Sequence, residues 1–312
     1  MAYGRAKCKN KSLEKNVSNQ KRRFPFVQVD VFTSVRLEGN QLAVFQDARG
    51  LSDIEMQSVA REMNLSETTF IFHGDAAVER ERGVRVRIFT VNEELPFAGH
   101  PTLGTAMVIR GTSTAEEIAL NLKVGKIPVR FSSRQGLPFG VMQQRDPEFG
   151  QTHSREAVAR AAGLQLSDIA DDVPIQTVST GNAFAIVPVS SLSVLENLAP
   201  AWAGMGTYLS KTDATFFYFV SRQAVNPEAR LQARMIFYNG EDPATGSAAG
   251  PCAAWAVKYG VLASQQEALL EQGLEMKRRS RIFLSAERAG DKIVNVRVGG
   301  HAVEIARGEI FL

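Results

Sequence analysis

A motif that occurs twice at one spacing constrains this chain more than its composition does. His100-Pro-Thr-Leu-Gly-Thr-Ala106 returns as Asp242-Pro-Ala-Thr-Gly-Ser-Ala248, 142 residues later. Gly39-Asn-Gln-Leu-Ala-Val-Phe45 returns as Gly181-Asn-Ala-Phe-Ala-Ile-Val187 at the same offset. Two separate matches that share an offset point to a duplicated fold.

Proline favours the first position of a helix, where its missing N–H has no partner to lose, and Asp is among the preferred residues before it. The motifs therefore predict helices from Pro101 to Arg110, stopped by Gly111, and from Pro243 to about Tyr259, stopped by Gly260. Neither run carries a charge before Arg110 or Lys258, so both helices are expected to be buried. Runs such as Phe26-Val-Gln-Val-Asp-Val-Phe32 and Val84-Arg-Val-Arg-Ile-Phe89 alternate with period two, as half-buried strands do. The expected class is α+β: two pseudo-symmetric halves, each a mostly antiparallel or mixed sheet wrapped around a central buried helix. Helix starts carry free N–H groups and partial positive charge, so two facing starts make a cleft suited to an anion or developing oxyanion. Gly99, Gly246 and Ser247 would let a ligand approach the backbone and supply donors there. Simple helix capping accounts for a single Asp-Pro or His-Pro equally well.

At 312 residues the chain has room for two domains. The expected division is a disordered basic leader, 1–23, an N-terminal domain, 24–143, and a C-terminal domain, 144–302; the last strand, about 303–312, is available to complete the N-terminal one. The leader holds eight Lys or Arg against Glu14 alone, so a net charge of +3 leaves the folded body acidic. That distribution argues against a nucleic-acid role, which needs a basic stripe on the folded part. No apolar run approaches the length of a membrane helix. Two cysteines, Cys8 and Cys252, make neither a disulfide framework nor a metal-ligand spacing and suit a reducing cytoplasm. The four histidines are not in paired metal spacing, and neither a Gly-rich phosphate loop nor a Walker-type lysine is present. No metal or cofactor is expected.

Capping boxes predict helices after Ser52-x-x-Glu55 and Ser264-x-x-Glu267, a further helix follows Ser154, and 144–151 reads as a linker. Leu65-Ser-Glu-Thr-Thr-Phe70 enters a strand, with Glu67 as its odd member. Thr212-Asp-Ala-Thr-Phe216 resembles it at a similar offset, so Glu67 and Asp213 are expected at equivalent points.

Leu37-Glu-Gly-Asn-Gln-Leu-Ala-Val-Phe45, Ala60-Arg-Glu-Met-Asn-Leu-Ser-Glu-Thr-Thr-Phe70, Glu94-Leu-Pro-Phe-Ala-Gly-His-Pro101 and Glu241-Asp-Pro-Ala-Thr-Gly-Ser-Ala-Ala-Gly-Pro251 together resemble the phenazine-biosynthesis PhzF family over about residues 25–312. The resemblance implies the diaminopimelate epimerase-like fold, a homodimer, and an isomerase acting without a cofactor on a small carboxylated substrate. It implies that Glu67 removes a ring proton and returns it on the same face, while His100 and Asp242 bind polar groups or relay protons. Ser66 would position Glu67, and Gly99, Gly246 and Ser247 would donate to a carboxylate or enolate. A carboxylate in that role needs partial burial to hold its pKa near neutral, and Asp242 as a charged neighbour raises it too. Related racemases carry cysteines at the paired helix starts, whereas this chain has His100 and Asp242. The approach Ile236-Phe-Tyr-Asn-Gly-Glu-Asp242 is shorter than the family's loop and leaves the substrate open. A racemase or epimerase of an amino or hydroxy acid, and a non-catalytic metabolite-binding or scaffold protein, stand as the alternatives.

Overall fold

The structure, a computed structural model, describes residues 22–236 and 240–312. The leader up to residue 21, with Cys8, and residues 237–239 of the short approach to Asp242 lie outside the described residues. The chain runs β1 (Arg23–Val31), β2 (Asn40–Phe45), α1 (Asp53–Met63), β3 (Glu67–Phe72), α2 (Ala76–Arg82), β4 (Val84–Phe89), β5 (Glu94–Leu95), α3 (Gly99–Arg110), β6 (Glu117–Leu122), β7 (Gly125–Arg134) and β8 (Leu137–Gln143). It continues with β9 (Glu148–His153), α4 (Arg155–Ala162), β10 (Ile175–Ser179), β11 (Ala183–Pro188), α5 (Leu192–Glu196), α6 (Trp202–Leu209), β12 (Phe216–Ser221), β13 (Leu231–Ile236) and β14 (Glu241–Asp242). The last elements are α7 (Gly246–Lys258), β15 (Ala268–Gln272), β16 (Ser280–Ala289), β17 (Lys292–Gly300) and β18 (Ala302–Phe311).

Strand pairing makes the two halves alike. In the first, β1 pairs antiparallel with β2, β2 parallel with β3, β3 antiparallel with β4, and β4 both antiparallel with β5 and parallel with β6. In the second, β10 to β15 repeat that order of directions, starting from β10 with β11. The hairpins β6–β7–β8 and β15–β16–β17 then follow in each half, and β8 joins β17 antiparallel across the molecule. Each half also gains one outer strand, β18 beside β1 and β9 beside β10. The fold is therefore α+β with two pseudo-symmetric halves.

Each half closes around one apolar helix. Gly99 through Ala106 of α3 are buried against β1, β2, β6 and β8, and Gly246 through Val257 of α7 against β10, β11, β16 and β17. Their small residues let the strands come close; a side chain on Gly104 would meet Leu42 and Val31 at 2.7 Å. Outer helices cover the other faces. The Ser52–Glu55 box caps α1, which ends on Asn64 in the left-handed region at φ 50°, and Ser154 caps α4.

Four local expectations are corrected. The helices start at Gly99 and Gly246, two residues before Pro101 and three after Pro243, with Ala98 and Thr245 in the capping positions. The two-residue strands β5 and β14 set those starts, so Glu94-Leu-Pro-Phe-Ala-Gly99 corresponds to Glu241-Asp-Pro-Ala-Thr-Gly246, and Pro243 matches Pro96 in the entry turn. Ser264–Glu267 is a turn with Gln265 at φ 64°, in which Ser264 accepts from the Arg288 amide and Glu267 binds Arg134. Residues 148–151 of the expected linker belong to β9, which runs on to His153 and covers the edge of β10. Register opposes Glu67 to Leu42 and Phe216 to Phe184, so the counterpart of Glu67 is Phe216. Asp213 lies three residues earlier, where it accepts from the Thr177 hydroxyl at 2.6 Å and the Gln151 amide at 2.8 Å.

Candidate active site

The two inner helices meet start to start. A Cβ on Gly99 would lie 2.5 Å from both the Gly246 carbonyl carbon and the Ser247 nitrogen, so backbone touches backbone and only glycine fits. The first turn of each helix presents amide groups that have no carbonyl four residues back. His100 and Ser247 hold the same place, second in each helix, and both are buried. The facing helix starts expected from the sequence are therefore present, with His100 inside the first turn of α3.

Glu67 opens β3, the strand beside β2, and register brings its side chain in toward the start of α3. Its carboxylate, 15% exposed, has Oε2 3.3 Å from His100 Nε2, out of line for a hydrogen bond. Neither atom has another partner or contact with solvent. Burial, and after it the charge of Asp242, hold Glu67 well above the usual carboxylate range. Burial pushes His100 down to about 3, so the ring is neutral at ordinary pH.

Asp242 reaches the same place from the other half, on β14. Its Oδ1 accepts from Asn40 Nδ2 at 2.7 Å and its Oδ2 from the Thr245 hydroxyl at 2.5 Å. Burial raises it to about 6, against the pull of those two bonds. Behind it stands Gln272, whose Nε2 donates to the Asp242 carbonyl at 2.6 Å and to Thr245 Oγ1 at 2.9 Å. The Gln272 oxygen accepts from the Tyr218 hydroxyl at 2.9 Å and the Thr245 amide at 3.2 Å. Thr245 Oγ1 already accepts from Gln272, so its own proton is directed at Asp242.

Glu67, His100, Asp242, Gly99, Gly246 and Ser247 thus converge between the halves. Ser66 is exposed and makes no hydrogen bond to Glu67 among the described residues. Four polar residues of the assembly were not singled out from the sequence: Asn40, Thr245, Gln272 and Tyr218. Asn40 and Thr245 stood within the repeated motifs, and Asn40 carried a usable signal, since an Asn after Gly39 at φ +68° opens a strand without serving the turn. Gln272 and Tyr218 carried none, because neighbouring strands alone bring them in. Among the described residues no group of three or more His, Cys, Asp or Glu side chains is arranged to hold a metal ion. A cavity of about 370 Å³ lies elsewhere, between α6 and β12; Trp202, Met205, Phe217 and Ile236 are among its walls, and no titratable side chain is. No helix among the described residues is long and apolar enough to cross a membrane.

Comparison with known proteins gives the family and the fold. The chain is 36% identical over 300 residues to an uncharacterized isomerase of Mesorhizobium japonicum, covering 92% of this chain and 98% of that one. It is 32% identical over 291 residues to the trans-2,3-dihydro-3-hydroxyanthranilate isomerase of Pseudomonas aeruginosa, covering 92% and 99%. Among solved structures, the PhzF-family phenazine biosynthesis protein of Bacillus anthracis superposes with a TM-score of 0.83 at 26% identity, over 93% of this chain and all of that one. A hydroxyproline epimerase of Agrobacterium vitis, at 12% identity and a TM-score of 0.63 over 94% of this chain and 92% of its own, shares the fold. The model of the phenazine biosynthesis-like proteins matches residues 29–308, and the chain belongs to that PhzC-PhzF family, a family of isomerases.

Proposed function

We propose that this isomerase shifts a proton on a small carboxylated substrate without a cofactor, with Glu67 as acid and base. The observation that carries this reading is the sealed pair of Glu67 Oε2 and His100 Nε2, 3.3 Å apart where two helix starts meet. A carboxyl group raised by burial is a competent acid at neutral pH and, once ionised, a stronger base than an exposed one. Glu67 takes a proton from carbon, the electron pair moves into the conjugated system, and the proton returns at another carbon on the same face. The amides of Gly99, Gly246 and Ser247 stabilise the carboxylate and the developing enolate. Asp242 keeps its charge through the Asn40 and Thr245 bonds and so favours the protonated form of Glu67. A cyclic substrate like that named for the Pseudomonas aeruginosa relative is compatible with one-faced transfer.

Register also weighs against racemisation by two opposed bases. The counterpart of Glu67 is Phe216, and that of Asp242 is Leu95. Each carboxylate has an apolar mate, so neither base is repeated at the equivalent place in the other half. Cys252 lies inside α7 with its thiol pushed far up by burial, which leaves no pair of thiolates to take over. In the same reading the halves are copies of one ancestral unit, 24–143 with the last strand and 144–302, and the enzyme works as a cytoplasmic homodimer.

The test follows solvent deuterium into carboxylated cyclic and amino-acid-like compounds by NMR. Glu67→Gln is expected to reduce turnover of any substrate so found by roughly 10²–10⁴-fold. Full turnover in that variant would falsify the acid/base assignment.

A further inference from the structure

Asn40 opens β2 directly after the Gly39 turn and is 1% exposed. Its amide nitrogen touches three groups at once: Asp242 Oδ1 at 2.7 Å, the Ala244 carbonyl at 3.0 Å and His100 Nδ1 at 3.1 Å. A carbonyl can only accept, and an ionised carboxylate likewise, so the NH₂ end of the amide must face them. The reversed amide would set three acceptors against one another in a buried place, at the cost of desolvated, unpaired groups. An amide nitrogen has nothing but hydrogens to offer, so His100 Nδ1 is an acceptor, sharing two hydrogens among three oxygens and nitrogens.

We infer that Asn40 is a positioning residue that fixes the tautomer of His100, keeping the ring proton on Nε2, the nitrogen that lies beside Glu67. The inference rests on the reading of Glu67 as acid and base and adds how its partner is set. A neutral imidazole carries one proton, and the hydrogen bond at one nitrogen decides where it sits. With Nδ1 occupied by the Asn40 amide, the proton sits on Nε2, 3.3 Å from Glu67 Oε2, and the burial of Oε2 leaves Oε1 as the atom that exchanges protons with substrate. Asn40 also ties that choice to the other half, since the same amide holds Asp242. One group competes: the Gln41 backbone, whose hydrogen bond to the ring favours its charged form. Without Asn40 no donor would hold the proton off Nδ1, and the ring would be free to present a lone pair to Glu67.

The tautomer can be read without a substrate. In protein labelled with ¹⁵N-histidine, with the His100 signals identified by their loss in His100→Gln, Nε2 is expected to show the shift of a protonated nitrogen and Nδ1 that of an unprotonated one. Asn40→Asp puts an acceptor at Nδ1 and is expected to move the proton there, and Asn40→Ala to leave a mixture. A proton on Nδ1 in the unaltered enzyme overturns the inference whichever variants fold; so does a His100 spectrum unchanged in both variants. On a substrate that the enzyme turns over, Asn40→Ala is expected to lower kcat by roughly tenfold or more with little change in KM. Full activity of Glu67→Gln together with an Nε2 proton would sink the acid/base reading and leave the tautomer assignment standing.

Discussion

At the scale of single residues, two carboxylates from opposite halves share a place that shields both from most of the solvent. Asp242 rises from an ordinary value of 3.8 to about 6, and burial with the charge of Asp242 holds Glu67 well above the usual carboxylate range. A carboxyl group raised by folding binds its proton more tightly in the folded state. Its contribution to stability is complete below the unfolded value and is lost as pH rises through the folded one. For Asp242 that loss comes as pH rises from its ordinary value of 3.8 through about 6. Glu67→Gln removes one ionisable group and relieves the other, so the variant should melt several degrees above the unaltered enzyme at pH 8, with the gap closing toward pH 4. Melting curves at a series of pH values decide it; a gap that does not change with pH would show that the pair does not titrate in this way. The carboxylates and His100 were legible in the sequence because each stands in a motif. Asn40 stood unread within a repeated motif, and Gln272 and Tyr218 carried no signal, since the geometry that recruits them belongs to neighbouring strands.

Elements set how closely the two halves of the site approach. Gly99 rests on Gly246, and any Cβ there must push α3 and α7 apart. Gly99→Ala is expected to lower activity by on the order of 100-fold through displaced amides, while the two inner helices remain. Far-ultraviolet circular dichroism should be unchanged as turnover falls; retained activity would mean that the helices can separate without harm. The entry turns are held by matching ion pairs, Arg87 to Glu94 and Arg234 to Glu241, each gripped by two nitrogens. Arg234 also donates to the Leu195 and Leu198 carbonyls, so Arg234→Met strands a buried carboxylate and two acceptors. A loss of 3–5 kcal/mol is expected, a rough range for breaking a buried pair, measurable by urea unfolding; a change below about 1 kcal/mol would contradict it. The sequence predicted both inner helices from their Pro and Gly boundaries, and their burial from their small, uncharged residues. It misplaced their starts by two and three residues because a proline after His or Asp suits a turn as well as a helix, and only the pairing of β5 and β14 decides between the two. The same ambiguity produced the false helix at Ser264, where the hydroxyl caps nothing and instead receives the Arg288 amide.

For the whole molecule, the chain closes each half with a strand that is remote in one case and adjacent in the other. β9 lies next to its half in sequence, whereas β18 returns from the far end to run along the full length of β1, from Arg23 opposite Phe311 to Val31 opposite Ala302. Local patterning marks β18 as a strand but cannot say which edge it covers, which is why its place was legible only as an option. None of its residues is fully buried, so its worth lies in the ladder rather than in apolar burial. A ladder of this length, at about 1 kcal/mol net for each hydrogen bond, supplies several kcal/mol. That is comparable to the 5–15 kcal/mol that holds a typical protein folded. It also covers the edge of a strand whose Val27, Val29 and Val31 reach the core around α3, and an open apolar edge invites pairing between chains. A chain ending at Gly300 is therefore expected to lose the first half preferentially. Limited proteolysis should cut it within residues 23–143 under conditions that leave the unaltered enzyme whole, and aggregation should increase with concentration. If the shortened chain instead melted within about 2 °C of the full one and stayed monodisperse, β1 would be held by β2 and α3 alone, and the distant return of β18 would be dispensable to the fold.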